Sequence, residues 1–350
     1  MTDIIYMQRC LQLAQQAEGK TTPNPMVGAV IVCDDKIIGE GYHHRAGEPH
    51  AEPNAIASVQ DKELLKNSTM YVSLEPCSHY GKTPPCADLI VSMGIKRVVV
   101  ATLDPNPRVA GRGVEIMQRA GIEVEVGVLE NEARYLNRRF MTFQEKKRPY
   151  IILKWAETAD GYIDKLRQEK GNGPVKISNS ITKTLNHQVR TQEDAIMVAT
   201  RTALLDDPHL TVTKWSGKNP VRVLLDRRGV VPADARIFDA AAKTLVFTSQ
   251  EVVDNRTCAD NIELIALDFS KSLPEQVLHQ LYLREIQSVI VEGGTQWLQT
   301  FIDETLWDEA RIEKSMDKLD SGVASPNVSG VVKSSELIEQ NRVEIIIPTK

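Results

Sequence analysis

The stretches His50-Ala51-Glu52, Pro76-Cys77 and Pro84-Pro85-Cys86 decide the reading of this chain. One imidazole and two thiolates form a soft nitrogen and sulfur donor set that suits zinc, with a fourth position left open for water. Glu52 stands two residues beyond the histidine, near enough to handle the protons of that water without binding the ion. A structural zinc site closes with a fourth protein ligand instead, and His79 is the nearby candidate for one. A Glu at this spacing has no task in such a site. The pattern therefore predicts one catalytic zinc per chain, held by His50, Cys77 and Cys86, with Glu52 as the proton carrier.

Working outward, residues 3–18 carry apolar positions at helical spacing, with Gly19 as the expected C-cap. Val27–Cys33 and Lys36–Tyr42 read as a strand pair across Asp34-Asp35. Helices are expected over Ala51–Val59, from Pro84-Pro85 to Met93, over Val114–Ala120 and over Glu130–Gln144. Strands are expected over Thr69–Leu74, Lys96–Thr102 and Ile122–Val126. His50 and Cys86 then sit at helix N-termini, where partial positive charge favours thiolate and hydroxide.

Glu145-Lys146-Lys147-Arg148-Pro149 is a short charged stretch that marks a boundary between domains 1–146 and 147–350. Beyond it, Tyr150–Trp155, Ala195–Ala199, Val221–Leu225, Thr244–Phe247 and Ser288–Val291 read as short buried strands. Between them lie helices from an N-cap at Ser178 to Arg190, from Pro274 to Arg284 and over Thr295–Glu304. Strands alternating with helices predict a second α/β domain. Ser288–Val291 runs through Glu292-Gly293-Gly294 into Thr295, a geometry that brings backbone N–H groups to a phosphate, although most such glycine pairs are merely tight turns.

The 350 residues suit two domains, and the net charge of −5 gives no basic footprint for nucleic acid. No apolar run reaches membrane-spanning length, and the N-terminus has no leader pattern. With two of five cysteines assigned to metal, Cys10, Cys33 and Cys258 remain, an odd scattered set that fits a reducing cytoplasm.

Further motifs narrow the family: Thr22-Pro23-Asn24-Pro25-Met26-Val27-Gly28, Gly39-Glu40-Gly41-Tyr42-His43, Leu74-Glu75-Pro76-Cys77-Ser78-His79, and the run from Asp104 through Arg108 to Gly113. With them the first half resembles the deaminase domain of the bifunctional riboflavin-biosynthesis deaminase/reductases. The eight residues between the cysteines exceed the two of many zinc deaminases, and Pro53 replaces the family's usual apolar residue. Ala159-Asp160-Gly161, His187-Gln188-Val189-Arg190, Thr202–Val212 and Val291-Glu292-Gly293-Gly294 resemble the reductase domain of the same enzymes.

This resemblance implies an α/β fold, a cytidine-deaminase-like zinc domain followed by a dihydrofolate-reductase-like domain. It implies hydrolytic deamination of a diaminopyrimidinone that carries a ribosylamino 5′-phosphate, then reduction of the ribosyl group by NADPH. Asn24, with His44 beside it, is expected to contact base or sugar, though His43 and His44 also suit a plain surface. Thr202, Asp206, Gly294 and Thr295 are expected at the NADPH site, and Arg190, Leu210 and Glu292 at the ribose-phosphate substrate. Arg190 offers a forked donor suited to phosphate. Arg227, just after strand Val221–Leu225, is either a receiver for the 2′-phosphate of NADPH or a charged turn. A homo-oligomer is expected. Lys176, Thr213 and the charged Arg311–Leu319 depart from the family pattern and leave the final strand order open. The rival readings are a deaminase whose second domain only binds nucleotide, and a nucleotide-binding regulator with structural zinc.

Overall fold

A computed structural model describes residues 2–80, 84–106, 109–171 and 173–349. Gly81-Lys82-Thr83 of the loop between the cysteines, and Pro107-Arg108, lie outside the described residues. The chain divides into two compact units, one up to Lys147 and one from Arg148.

The first unit runs α1 (Thr2–Gln15), β1 (Gly28–Cys33), β2 (Lys36–Tyr42), α2 (Ala51–Ser58), β3 (Thr69–Val72), α3 (Cys86–Ser92), β4 (Arg97–Val100), α4 (Arg112–Arg119), β5 (Glu123–Val126), α5 (Glu130–Leu136) and α6 (Arg138–Lys146). Its sheet has the order β2-β1-β3-β4-β5. The β1–β2 hairpin turns on Asp34 and Asp35, whose φ values of 49° and 60° supply the left-handed pair that a tight hairpin requires. Alternation along β1 feeds two cores. Ala29 and Ile31 pack with Ala55, Ile56, Ile90 and Met117 of α2, α3 and α4. Val30 and Val32 pack with Met7, Cys10 and Leu13 of α1. Each fully buried Ile or Met contributes about 1.5–3 kcal/mol.

Gly41 lets β2 lie flat on α2, because a Cβ there would come within 2.3 Å of Ala55 N. α2 starts at Ala51 with His50 as its N-cap, so Pro53 falls in the first turn, where a missing N–H costs nothing. α1 stops at Gln15, short of the expected Glu18, and turns carry the chain to Gly19. The single helix expected over Glu130–Gln144 is two. Asn137 breaks it, because its buried carboxamide accepts from Met26 N and donates to Met26 O, both at 2.8 Å.

The second unit runs β6 (Tyr150–Glu157), β7 (Tyr162–Asp164), α7 (Ser180–Gln192), β8 (Ala195–Ala199), α8 (Thr200–Asp206), β9 (Val221–Leu225), β10 (Thr244–Thr248), α9 (Gln250–Asn255), β11 (Ile262–Ala266), α10 (Leu273–Leu283), β12 (Ser288–Glu292), α11 (Thr295–Asp303), β13 (Glu309–Lys314), β14 (Val323–Ala324), β15 (Val331–Ile338) and β16 (Asn341–Ile347). Its main sheet is ordered β11-β10-β9-β8-β12-β6-β13-β16-β15, parallel as far as β13 and antiparallel beyond. β8, β10 and β12 are apolar runs buried on both faces.

The charged segment after Ala310 is no defect. β13 lies between β6 and β16 because its charges are satisfied. Buried Glu313 accepts from Ser178 Oγ, Thr182 Oγ1 and Asn341 Nδ2 at 2.5–2.6 Å, and Arg311 donates to Glu309. The N-cap of α7 is accordingly Asn179, which accepts from Thr182 N, and not Ser178, whose hydroxyl is committed to Glu313.

Candidate active sites

In the first unit, α2 and the segment after β3 bring His50, Cys77 and Cys86 together. Their donor atoms lie within 4.8 Å of one another, and no other such group of metal-ligating side chains occurs among the described residues. His50 Nδ1 lies 3.7 Å from Cys77 Sγ and 3.4 Å from Cys86 Sγ. Cys86 N, at the start of α3, donates to Cys77 Sγ at 3.3 Å. The hydrogen bond from Cys86, opposed by burial and aided by His50, draws the Cys77 thiol down to about 4. The same hydrogen bond, which favours the protonated form of its donor, pushes the Cys86 thiol up, with burial adding to it. His79 is exposed and outside the group.

Glu52 is 3 % exposed, and its Oε2 has no hydrogen-bond partner. Burial, with the Cys77 charge nearby, raises its carboxyl to about 7. A buried carboxyl oxygen left unpaired beside an unclosed three-ligand set fits a zinc site whose fourth position belongs to water.

Two further features support this site. Glu75 is buried and accepts from the backbone N–H groups of Asp104, Gly111, Gly113 and Val114, so one carboxylate ties the residues around the start of α4 to the segment that carries Cys77. Gly113 allows the approach, since a Cβ there would lie 2.1 Å from Pro76 O. His43, read from sequence as equally suited to the surface, is buried, and Asn24 Nδ2 lies 3.1 Å from its Nε2. His44 is stacked on Tyr42.

In the second unit a cavity of about 490 Å³ opens where β8, β12 and β6 lie side by side, towards the C-terminal end of β12. That is where parallel α/β sheets bind ligands. Of the residues singled out in sequence, Arg190, Thr202, Asp206, Leu210, Glu292 and Gly294 line it. Thr202 Oγ1 accepts from Gly294 N at 3.1 Å and so meets the glycine turn directly. Leu210 is buried in a left-handed conformation, φ 54°, of the kind held at ligand sites by the surrounding fold.

Arg227 and Thr295 are not among the lining residues. The Arg227 guanidinium lies 5.2 Å from the Phe269 ring, and the Thr295 hydroxyl donates to Ala324 O.

Sequence reasoning missed Lys154, Arg167 and Arg201, which also line the cavity. Lys154 had left a signal, a lone cation in the buried run Tyr150–Trp155. Seven basic side chains face three acidic ones around the cavity, a balance that favours phosphorylated ligands. Arg190 Nη1 donates to Thr211 O at 3.2 Å and its Nη2 to Glu292 Oε2 at 3.1 Å, while its Nε is buried without a partner. Arg167 bridges Asp164 and Asp206, at 2.5 Å to each.

Comparison with known proteins finds matches to both units. Residues 1–102 match the cytidine and deoxycytidylate deaminase zinc-binding region, and residues 149–313 match the RibD C-terminal domain. The chain is 44 % identical to riboflavin biosynthesis protein RibD of Aquifex aeolicus, over 87 % of this chain and 84 % of that one. It is 38 % identical to RibD of Escherichia coli, over 88 % and 86 %. It is similar to the crystal structure of a diaminohydroxyphosphoribosylaminopyrimidine deaminase/5-amino-6-(5-phosphoribosylamino)uracil reductase from Thermotoga maritima, with TM-score 0.88, 38 % identity and 99 % of each chain covered. Against Acinetobacter baumannii RibD the TM-score is 0.87 at 32 % identity, covering 100 % of this chain and 99 % of that one.

Proposed function

Since the chain belongs to the RibD family of riboflavin-biosynthesis enzymes, with a deaminase and a reductase in one polypeptide, we propose how its residues divide that work. His50, Cys77 and Cys86 hold zinc, which supplies the Lewis acidity that activates water. Glu52 takes a proton from that water and delivers it to the departing ammonia. Its burial keeps the carboxyl near the pH at which it can do both. Asn24 contacts the substrate, a diaminopyrimidinone with a ribosylamino 5′-phosphate, in keeping with the diaminohydroxyphosphoribosylaminopyrimidine deaminase of Thermotoga maritima.

In the second unit bound NADPH would supply the hydride. Thr202, Asp206 and Gly294 would hold it in the cavity, with Thr295 and Arg227, which do not line the cavity, as further contacts, Arg227 at its 2′-phosphate. Arg190, Leu210, Glu292 and Lys154 hold the ribose-phosphate substrate. The work of these residues is positioning, since hydride transfer needs no protein nucleophile. The described residues include no helix long and apolar enough to cross a membrane. The odd, scattered remainder Cys10, Cys33 and Cys258 supports a reducing cytoplasm. Val331, Val332 and Leu337, exposed on edge strand β15, support a homo-oligomer.

The unpaired Glu52 Oε2 beside the three-ligand set carries the deaminase reading. Glu52→Gln should keep its zinc yet lose deamination by about 10²–10⁴-fold. Given the diaminopyrimidinone, the variant should consume almost no NADPH; given the deaminated uracil, it should consume NADPH at the parent rate. Equal consumption from both substrates would overturn the serial order.

A further inference from the structure

Asn24 and His43 come from different segments, the loop before β1 and the residue after β2, and their side chains meet at 3.1 Å, Nδ2 to Nε2. The other ring nitrogen, His43 Nδ1, lies 3.1 Å from Pro49 O. The His43 ring stands edge-on to His50, with centroids 5.3 Å apart.

The polarity of this chain of contacts follows from its fixed end. A peptide carbonyl only accepts, so His43 Nδ1 carries the hydrogen. The NH₂ end of the Asn24 carboxamide faces Nε2, and an amide nitrogen only donates, so Nε2 is the acceptor. Asn24 Oδ1 is then turned away from His43, with no hydrogen-bond partner among the described residues.

Building on the deaminase reading above, we propose that His43 is a positioning residue. It holds the Asn24 carboxamide oxygen outward, so that the deaminase site selects a substrate presenting a hydrogen-bond donor there. The donor is an amine or ring N–H of the base, or a hydroxyl of the sugar. Without His43 the carboxamide can present either end, and the preference is lost.

The test uses the zinc-loaded full-length protein. Long-range ¹H–¹⁵N spectra of histidine-labelled protein should show a neutral ring with hydrogen on Nδ1 and a bare Nε2, absent from His43→Leu. An imidazolium, or hydrogen on Nε2, overturns the proposal. Asn24→Ala and His43→Leu should each raise KM for deamination about tenfold, with kcat changed less than about threefold and zinc content unchanged. The double variant should be no worse than Asn24→Ala. His43→Gln, whose carbonyl can accept from Asn24, should recover most of the loss. Additive losses, or a fall in kcat alone, overturn the proposal.

Analogues lacking the 2-amino group or the sugar 2′-hydroxyl identify the donor. The parent should disfavour one of them, and Asn24→Ala should not. If the parent disfavours neither, Oδ1 reads no donor and the proposal fails. A parent that deaminates nothing refutes the deaminase reading instead, and the ring-nitrogen spectrum still decides the contact with Asn24.

Discussion

Arg190 and Glu292, 102 residues apart in the chain, meet in the reductase cavity, Nη2 donating to Oε2 at 3.1 Å. Lys154 Nζ lies 3.7 Å from the other carboxylate oxygen, in register with Glu292 on the neighbouring parallel strand. One carboxylate thus holds two cations beside a space that suits a phosphorylated ligand.

Burial alone would raise the Glu292 carboxyl, but the Arg190 and Lys154 charges outweigh it and hold the group below the usual glutamate range. A depressed folded-state pKa adds stability that is present above the unfolded value and is lost as pH falls through the folded one. Glu292→Gln should therefore cost about 1–3 kcal/mol near neutrality. The gap should close on acidification below the usual glutamate range. Denaturant unfolding of both proteins across that range checks it, and a gap independent of pH would count against the assignment.

Cys77→Ser or Cys86→Ser leaves two strong protein ligands where a zinc site needs at least three. Each variant should lose most of its metal by elemental analysis, while NADPH-dependent reduction of the uracil substrate continues. Full zinc content in either would remove that cysteine from the ligand set.

Glu75→Gln puts an amide where the backbone N–H groups of Asp104, Gly111, Gly113 and Val114 now find a carboxylate. Buried donors left unpaired cost about 1–3 kcal/mol. The expected outcome is a lower unfolding midpoint and weaker zinc retention under a chelator. An unchanged midpoint would mean that Glu75 does not anchor this turn.

Arg227→Ala should narrow the preference for NADPH over NADH roughly tenfold, equivalent to about 1.4 kcal/mol. Direct binding titrations decide it. No change would return Arg227 to its contact with Phe269 and leave the 2′-phosphate to the cavity lysines and arginines.

The zinc site was legible because its chemistry is written locally. His50-Ala51-Glu52 and the two Pro-Cys steps fix both donor type and helix position. The cavity was legible only in part. Glu292-Gly293-Gly294 announced itself as strand, turn and helix, but Arg167 and Arg201 look like ordinary surface charges until the fold brings them to one space. Other misses share a cause, namely tertiary partners that override local pattern. Ser178 looks like an N-cap until Glu313 claims its hydroxyl. The charged residues of β13 left the final strand order open until Ser178, Thr182 and Asn341 were found around Glu313. β11, β15 and β16 were not foreseen, and β15 is mostly exposed and so shows little buried apolar periodicity.

The Asn137 carboxamide that clasps Met26 has a consequence for synthesis. A nascent chain emerges N-terminus first, so the loop bearing Asn24 must wait for a side chain made 111 residues after Met26. β1, β2 and the zinc ligands are all translated before that clasp can close. The deaminase half therefore matures late, when its last helices dock, and a ribosome that stalls before Asn137 has made His50, Cys77 and Cys86 but leaves the loop bearing Asn24 unfastened.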